Sequence, residues 1–249
     1  MIGRETLEKI ARLYGLRPWQ QERHYVQALM LGALSEFPLV FKGGTYLWFF
    51  HGLDRFSEDL DFTATGDLPE EIGNQVSESL RMFGVENSLK AISDDERSLS
   101  FRISAKGPLN TSERNLTYVY VEVSRRERVM QPPLSLELKF DAYALPVKIV
   151  GGMALDELAA EKVRAVCTRE KARDAYDLHY LITRKGVKFD RSIAGEKLKY
   201  YGLPFSEELL SKSLRKREKD WKPELKSLVL GKLPEFESVF STIIGWVKG

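Results

Sequence analysis

The sequence predicts an α+β fold, with a β-sheet and flanking helices in front and a helical C-terminal domain behind. Three observations predict it. The first 37 residues carry apolar side chains at helical spacing, residues 39–140 hold several short runs at strand spacing, and the chain beyond Gly151-Gly152 turns helical again. The domains expected are residues 1–150 and 151–249. With 249 residues, 43% of them apolar and 30% charged, the chain is long enough to bury a core without staples. A single cysteine, Cys167, excludes an internal disulfide framework and any Cys-rich zinc site. No apolar run is long enough for a membrane-spanning helix, and the opening Met1-Ile2-Gly3-Arg4-Glu5 lacks the apolar stretch of a signal peptide. A cytoplasmic protein with no membrane partner is expected.

The elements follow in order. Residues 6–14 place Leu7, Ile10, Leu13 and Tyr14 on a helical stripe, which Gly15 and Pro18 break. Residues 19–37 resume it with Tyr25, Leu29, Met30, Ala33 and Leu34. Leu39-Val40-Phe41 is a short buried strand running into a turn at Lys42-Gly43-Gly44. Residues 45–51 are apolar nearly all round, which predicts a buried helix. Residues 59–63 alternate acidic and apolar side chains, so Asp59 and Asp61 fall on one face of a strand. Residues 69–83 predict a surface helix, and residues 99–105, 115–123 and 135–140 predict strands. In the second of these strands Tyr118, Tyr120 and Glu122 share a face. Helices over 155–168 and 172–183 come next, and others run to the end, punctuated by Gly186, Gly202, Pro204, Pro223 and Pro234.

Charge is uneven along the chain. Residues 185–249 hold 14 Lys and Arg against 9 Asp and Glu, while the rest hold 24 against 27. A basic tail beside an acidic front fits an enzyme that handles a polyanion, although a solvated helical surface explains the same charge. The run Arg215-Lys216-Arg217-Glu218-Lys219 shares that ambiguity.

One stretch carries the chemistry. Two carboxylates as close as Asp59 and Asp61 repel unless a cation neutralises them. Oxygen ligands at this spacing suit Mg²⁺, which takes one or two carboxylates and leaves room for substrate phosphates. Gly43-Gly44 before a helix offers backbone N–H groups where the helix N-terminus favours an anion. A third carboxylate from a neighbouring strand would complete a metal clamp for phosphoryl or nucleotidyl transfer. Glu122 is the candidate and Glu137 the competitor.

Lys42-Gly43-Gly44-Thr45, followed by Arg55-Phe56-Ser57-Glu58-Asp59-Leu60-Asp61-Phe62, resembles the AbiEii/AbiGii-type nucleotidyltransferase toxins of the polymerase β-like superfamily. A second block agrees: Glu161-Lys162, Ala165, Arg169, then Arg173-Asp174-Ala175-Tyr176-Asp177-Leu178. The resemblance spans about residues 40–181 and implies a nucleotidyltransferase-type mixed β-sheet with flanking helices. It implies that Gly43, Gly44 and Thr45 hold the outer phosphates of an NTP, with Lys42 a second phosphate contact. Asp59 and Asp61 would bind Mg²⁺, Arg55 would bridge acids or steady a phosphate, and Ser57 would cap or orient. Lys162 would reach the triphosphate, and Asp174 would be the essential acid of the second block. The activity implied is transfer of an NMP to an acceptor hydroxyl, such as the 3′ end of tRNA, by a toxin held in check by an antitoxin. The alternatives are a nucleotidyl- or phosphotransferase acting on protein and a non-catalytic member of the fold.

The second block also admits a purely structural reading, in which Arg173 and Asp177, four apart on a helix, pair as an ordinary surface bridge. His24, His51 and His179 are too scattered for a metal triad and read as structural. Cys167 reads as a buried, inert thiol, and the four tryptophans read as core or seam residues. No P-loop and no nucleophile elbow are present.

Overall fold

The computed structural model describes residues 1–112 and 115–249. Helices α1 (Arg4–Tyr14) and α2 (Pro18–Leu34) open the chain. Gly15 takes φ +66, the left-handed conformation that ends α1, and Pro18 starts α2, where its missing N–H has no helical partner to lose. The stripe of α1 is shorter than its spacing suggests. Leu7, Ile10 and Ala11 are buried, but Leu13 and Tyr14 are exposed.

The sheet is built from β1 (Leu39–Lys42), β2 (Leu60–Ala64), β3 (Asn87–Asp94), β4 (Ser98–Ala105), β5 (Thr117–Ser124), β6 (Leu134–Leu138) and β7 (Lys148–Gly152). Its order is β3-β4-β5-β2-β1-β7-β6. The β2–β5 and β1–β7 pairs are parallel, and the other neighbours are antiparallel, so the sheet is mixed as expected. Helix α3 (Gly43–His51) follows β1, and α4 (Ile72–Met82) follows β2. Leu99, Phe101 and Ile103 of β4 and Val119, Val121 and Val123 of β5 fill the buried face, with α2 packing on β5 and α4 on β3. The alternate residues of β5 are exposed, which is the period-two pattern of a half-buried strand.

Two strands lie outside the sequence expectation. In β3 Leu89 is only half-buried, Ile92 is exposed, and a bulge between Ala91 and Ser93 breaks the run, so its alternation is weak. In β7 the pair Gly151-Gly152 looks like a turn but lies within the strand. Gly152 is there because the Tyr46 ring lies against it: a Cβ would come within 2.7 Å of Leu136 Cδ1 and of Tyr46 Oη.

The chain divides into two units. The first comprises Met1–Tyr46, Glu58–Arg128 and Pro133–Gly152, and so holds the whole sheet. The second takes in everything from Met153, together with Leu47–Ser57 and Val129–Pro132. Its helices are α5 (Leu155–Thr168), α6 (Ala172–Lys185), α7 (Arg191–Lys199), α8 (Glu207–Arg215), α9 (Glu218–Leu225) and α10 (Phe236–Lys248). Helix α5 packs on α6, α7 and α8, and α6 on α9 and α10. Asp190 and Ser206 cap α7 and α8 by accepting from the N–H groups of Ile193 and Leu209. The Leu47–Ser57 segment is clipped on by the Phe56 N–H donating to the Leu228 carbonyl at 2.9 Å and the Leu230 N–H donating to that of Asp54 at 2.8 Å. Val129–Pro132 is held by Glu157, whose carboxylate accepts from the N–H groups of Met130 and Gln131 and from Lys197 Nζ at 2.6 Å.

Trp221 is buried and donates to the Pro234 carbonyl, while Trp246 donates to that of Val187. Trp19 is exposed instead of forming core. Cys167 is half-buried, and partial burial pushes its thiol up to about 11, which keeps it protonated and inert. Among the described residues, no helix is long and apolar enough to cross a membrane.

Candidate active site

The carboxylates are positioned by the sheet. Asp61 of β2 pairs with Glu122 of β5 in the parallel register and with Lys42 of β1 in the antiparallel one. Ser100 of β4 stands opposite Glu122. Residues facing each other in register project to the same side, so Ser100, Glu122, Asp61 and Lys42 form one row across four strands. Asp61 is half-buried and Glu122 is exposed. Asp59 lies one residue before β2, two before Asp61. The Thr45 hydroxyl, fully buried in the first turn of α3, donates to the Asp59 backbone carbonyl and fixes that approach. Thr45 thus holds the loop that bears Asp59. Glu137 sits on β6, separated from β2 by β1 and β7.

Gly43 is dictated by the same geometry. It has φ +79, which L side chains rarely adopt, and a Cβ there would overlap the Asp61 carboxylate, whose Cγ would lie only 2.9 Å away. Replacing Gly43 by alanine is expected to cost about 1–3 kcal/mol through the strained backbone and to displace Asp61. Urea denaturation measures the first effect, and a variant as stable as the parent would contradict the close approach.

The residues available to a metal are all hard oxygen donors, and the space over Gly43 is filled by a carboxylate instead of a side-chain carbon. That donor set fits a small divalent cation. No group of three His, Cys, Asp or Glu side chains is gathered closely enough for a closed metal cage among the described residues. Lys42 Nζ pairs with Glu127 Oε2 at 2.8 Å, and both side chains are buried.

The second block forms a buried ion cluster within the second unit. Arg55 donates through Nε and Nη2 to the two carboxylate oxygens of Asp177, each at 2.6 Å, and through Nη1 to the Phe56 carbonyl. Lys162 Nζ lies 2.7 Å from Asp177 Oδ2 and 3.0 Å from Asp174 Oδ1. Arg169 donates through Nε to Asp174 Oδ2 at 3.0 Å. The Tyr176 hydroxyl donates to Asp54 at 2.6 Å. Asp177 therefore binds Arg55 and Lys162, not Arg173 as helical spacing suggested, because its carboxylate is fully buried and these are the buried cations that reach it.

Burial opposes ionisation of Asp174 and Asp177, yet the cations outweigh it. Lys162 and Arg169 hold the Asp174 carboxyl well below the usual range, and Arg55 and Lys162 do the same for Asp177. Three cations face two carboxylates, which leaves this five-residue cluster one positive charge in excess. Its exposed member is Arg169, whose side chain is 47% accessible where those of Lys162 and Arg55 are 6% and 2%. The motif marks Arg169 in sequence, but only its exposure singles it out as the outward cation.

Ser57 is half-buried, and Gly44 is buried in the first turn of α3. His24 is half-buried against Tyr143, a ring nitrogen 2.7 Å from its hydroxyl, and desolvation pushes its pKa down to about 3. His51 and His179 are likewise lowered by burial, so all three imidazoles favour the neutral form.

The chain is similar to several solved structures. The nucleotidyltransferase toxin MenT4 of Mycobacterium tuberculosis superposes with a TM-score of 0.68 at 22% identity, over 98% of this chain and 88% of that one. JHP933 of Helicobacter pylori gives 0.60 at 18% identity, over 92% and 90%. A protein described as a putative nucleotidyltransferase of H. pylori gives 0.60 at 19% identity, over 91% and 92%. At these identities the likeness speaks for the fold alone. No curated protein matches the sequence. The family model described as nucleotidyl transferase AbiEii toxin, type IV toxin–antitoxin system, matches residues 31–242. That span takes in the carboxylate row and the ion cluster alike, and the chain belongs to the AbiEii nucleotidyltransferase toxin family.

Proposed function

We propose that this nucleotidyltransferase moves an NMP from an NTP to an acceptor hydroxyl at the 3′ end of a tRNA, with Mg²⁺ as cofactor. The observation that carries the reading is the register of Asp61 with Glu122, beside a glycine that leaves room for the Asp61 carboxylate. Asp59 and Asp61 would hold the cation, with Glu122 as the third ligand. The sheet order supports Glu122 over Glu137, because β5 adjoins β2 and β6 does not. A bound Mg²⁺ supplies charge neutralisation at the phosphate oxygens.

This chain's own residues do the rest. Backbone N–H groups in the first turn of α3, at Gly43, Gly44 and Thr45, bind the outer phosphates. Thr45 anchors the Asp59 loop, and Lys42 pairs with Glu127 at the end of β1. Arg55 orders the second block by clamping Asp177. Within the second unit, Lys162 and the outward Arg169 are the cations available to a phosphate, and Asp174 holds both in place. Ser57 orients the segment leading to the aspartates. The acceptor oxygen attacks the α-phosphorus, its P–O bond forms as the bond to pyrophosphate breaks, and the acceptor proton passes to solvent or to a carboxylate. The toxin family supports a cognate antitoxin as partner and the cytoplasm as the place of action.

Incubation with each α-³²P-NTP, Mg²⁺ and total tRNA tests the reading. Label is expected on tRNA with one or more of the four nucleotides. Label on protein alone, or transfer from γ-³²P-NTP, would replace the acceptor or the reaction proposed here.

A further inference from the structure

The row of carboxylates is one edge of a larger open face. On β5 the residues pointing the same way as Glu122 include Tyr120 and Tyr118, which are 39% and 37% exposed. Arg102 of β4 stands opposite Tyr120, and Lys90 of β3 stands opposite Arg102. The Arg102 guanidinium lies 4.8 Å from the Tyr118 ring centroid and 6.0 Å from that of Tyr120. Its Nε is buried with no hydrogen-bond partner, an uncommon state for a guanidinium. Lys90 is exposed.

We infer that this face of β3, β4 and β5 is a stacking platform for the unpaired 3′ end of an RNA acceptor. Tyr118 and Tyr120 stack successive bases, and Arg102 and Lys90 meet the backbone phosphates. The inference rests on the reading of an RNA acceptor and adds how that acceptor is held. An open strand face ordinarily carries polar side chains, yet β5 places two aromatic rings there. Alternate residues of a strand are separated by about 6.7 Å, which gives each ring its own base. Aromatic faces flanked by cations are what sequence-tolerant single-strand binding uses. Tyr118, Tyr120 and Glu122 follow one another on the exposed face of β5, and Glu122 is in register with Asp61, so a strand laid along the tyrosines reaches the carboxylates.

The test is direct binding, without NTP, of a fluorescent single-stranded RNA ending in free 3′ hydroxyl, followed by anisotropy. Tyr118→Ala and Tyr120→Ala are each expected to weaken binding about tenfold, within the range for one lost base stack. Tyr118→Phe and Tyr120→Phe keep the rings and are expected to bind within about threefold of the parent. On the unaltered protein, an abasic strand of equal length and charge is expected to bind at least tenfold more weakly. Equal binding of abasic and base-bearing strands, or alanine variants that bind like the parent, would overturn the platform. Because no transfer is measured, a parent that binds RNA through the tyrosines but labels no tRNA would fail the transfer reading and keep the platform.

Discussion

Asp61→Asn abolishes NMP transfer, by about 10²–10³-fold or more, while the protein remains folded; this is the expected result with the largest effect on activity. The substitution keeps the shape of the side chain and removes its charge. Asp61 is only half-buried and lies in register with Glu122, so losing one of two neighbouring negative charges relieves repulsion. A change in stability within about 1 kcal/mol is therefore expected from thermal melting. Transfer is followed with α-labelled NTP under identical protein concentration. Glu122→Gln is expected to lose activity as well, and Glu137→Gln, on the far strand β6, is expected to retain it. Full activity in Asp61→Asn would remove the sheet carboxylates from the chemistry.

The largest effect on stability is expected from Asp177→Asn. Asp177 has no exposed surface, and both of its oxygens are taken by Arg55 and Lys162. Removing its charge leaves two buried cations short of a partner, a situation that costs about 3–5 kcal/mol. Urea denaturation read by tryptophan fluorescence checks this, since Trp221 packs near Tyr176 on the same set of helices. The same cluster sets an acid limit. The folded-state carboxyls of Asp174 and Asp177 lie below the ordinary value, so the stability they contribute is fully present above about pH 4, the unfolded value. It is lost as pH falls through the depressed folded values. A parent protein that loses stability below pH 4, and an Asp177→Asn variant with a flatter acid limb, are the expected pair. A variant as stable as the parent would show that the cluster is not what holds these helices.

Much of the sheet was legible in the sequence, and for local reasons. The run Leu39-Val40-Phe41, the apolar helix after Gly43-Gly44 and the alternation through Asp61 each carry their period within a few residues. The strand β3 was not legible, because its few apolar residues do not share one face and a bulge breaks its alternation. In β7 the two glycines hide a strand, because Gly152 answers to the Tyr46 ring of α3 and not to a turn. The carboxylate row was half legible. Asp59 and Asp61 announce themselves by spacing, and Glu122 was preferred to Glu137 from its strand alone, whereas its register beside Asp61 required the strand order. The ion cluster was named residue by residue but not wired: Arg55 and Asp177 lie 122 positions apart, and no local pattern encodes that bond. Helical spacing proposed Arg173 for Asp177 because spacing knows nothing of burial.

The discontinuity of the second unit bears on how the chain is made. Arg55 leaves the ribosome long before Asp177, and at roughly 5–20 residues per second the interval is several seconds to tens of seconds. Throughout that time the Leu47–Ser57 segment has neither its carboxylate nor the Leu228 and Leu230 backbone that clip it down. The sheet residues can assemble meanwhile, but the guanidinium stays hydrated until the last third of the chain emerges. A nascent or prematurely terminated product that ends before Asp177 therefore carries an Arg55 with no carboxylate clamp, and shortening the gene at the glycines of β7 leaves the Leu47–Ser57 and Val129–Pro132 segments without the rest of their unit.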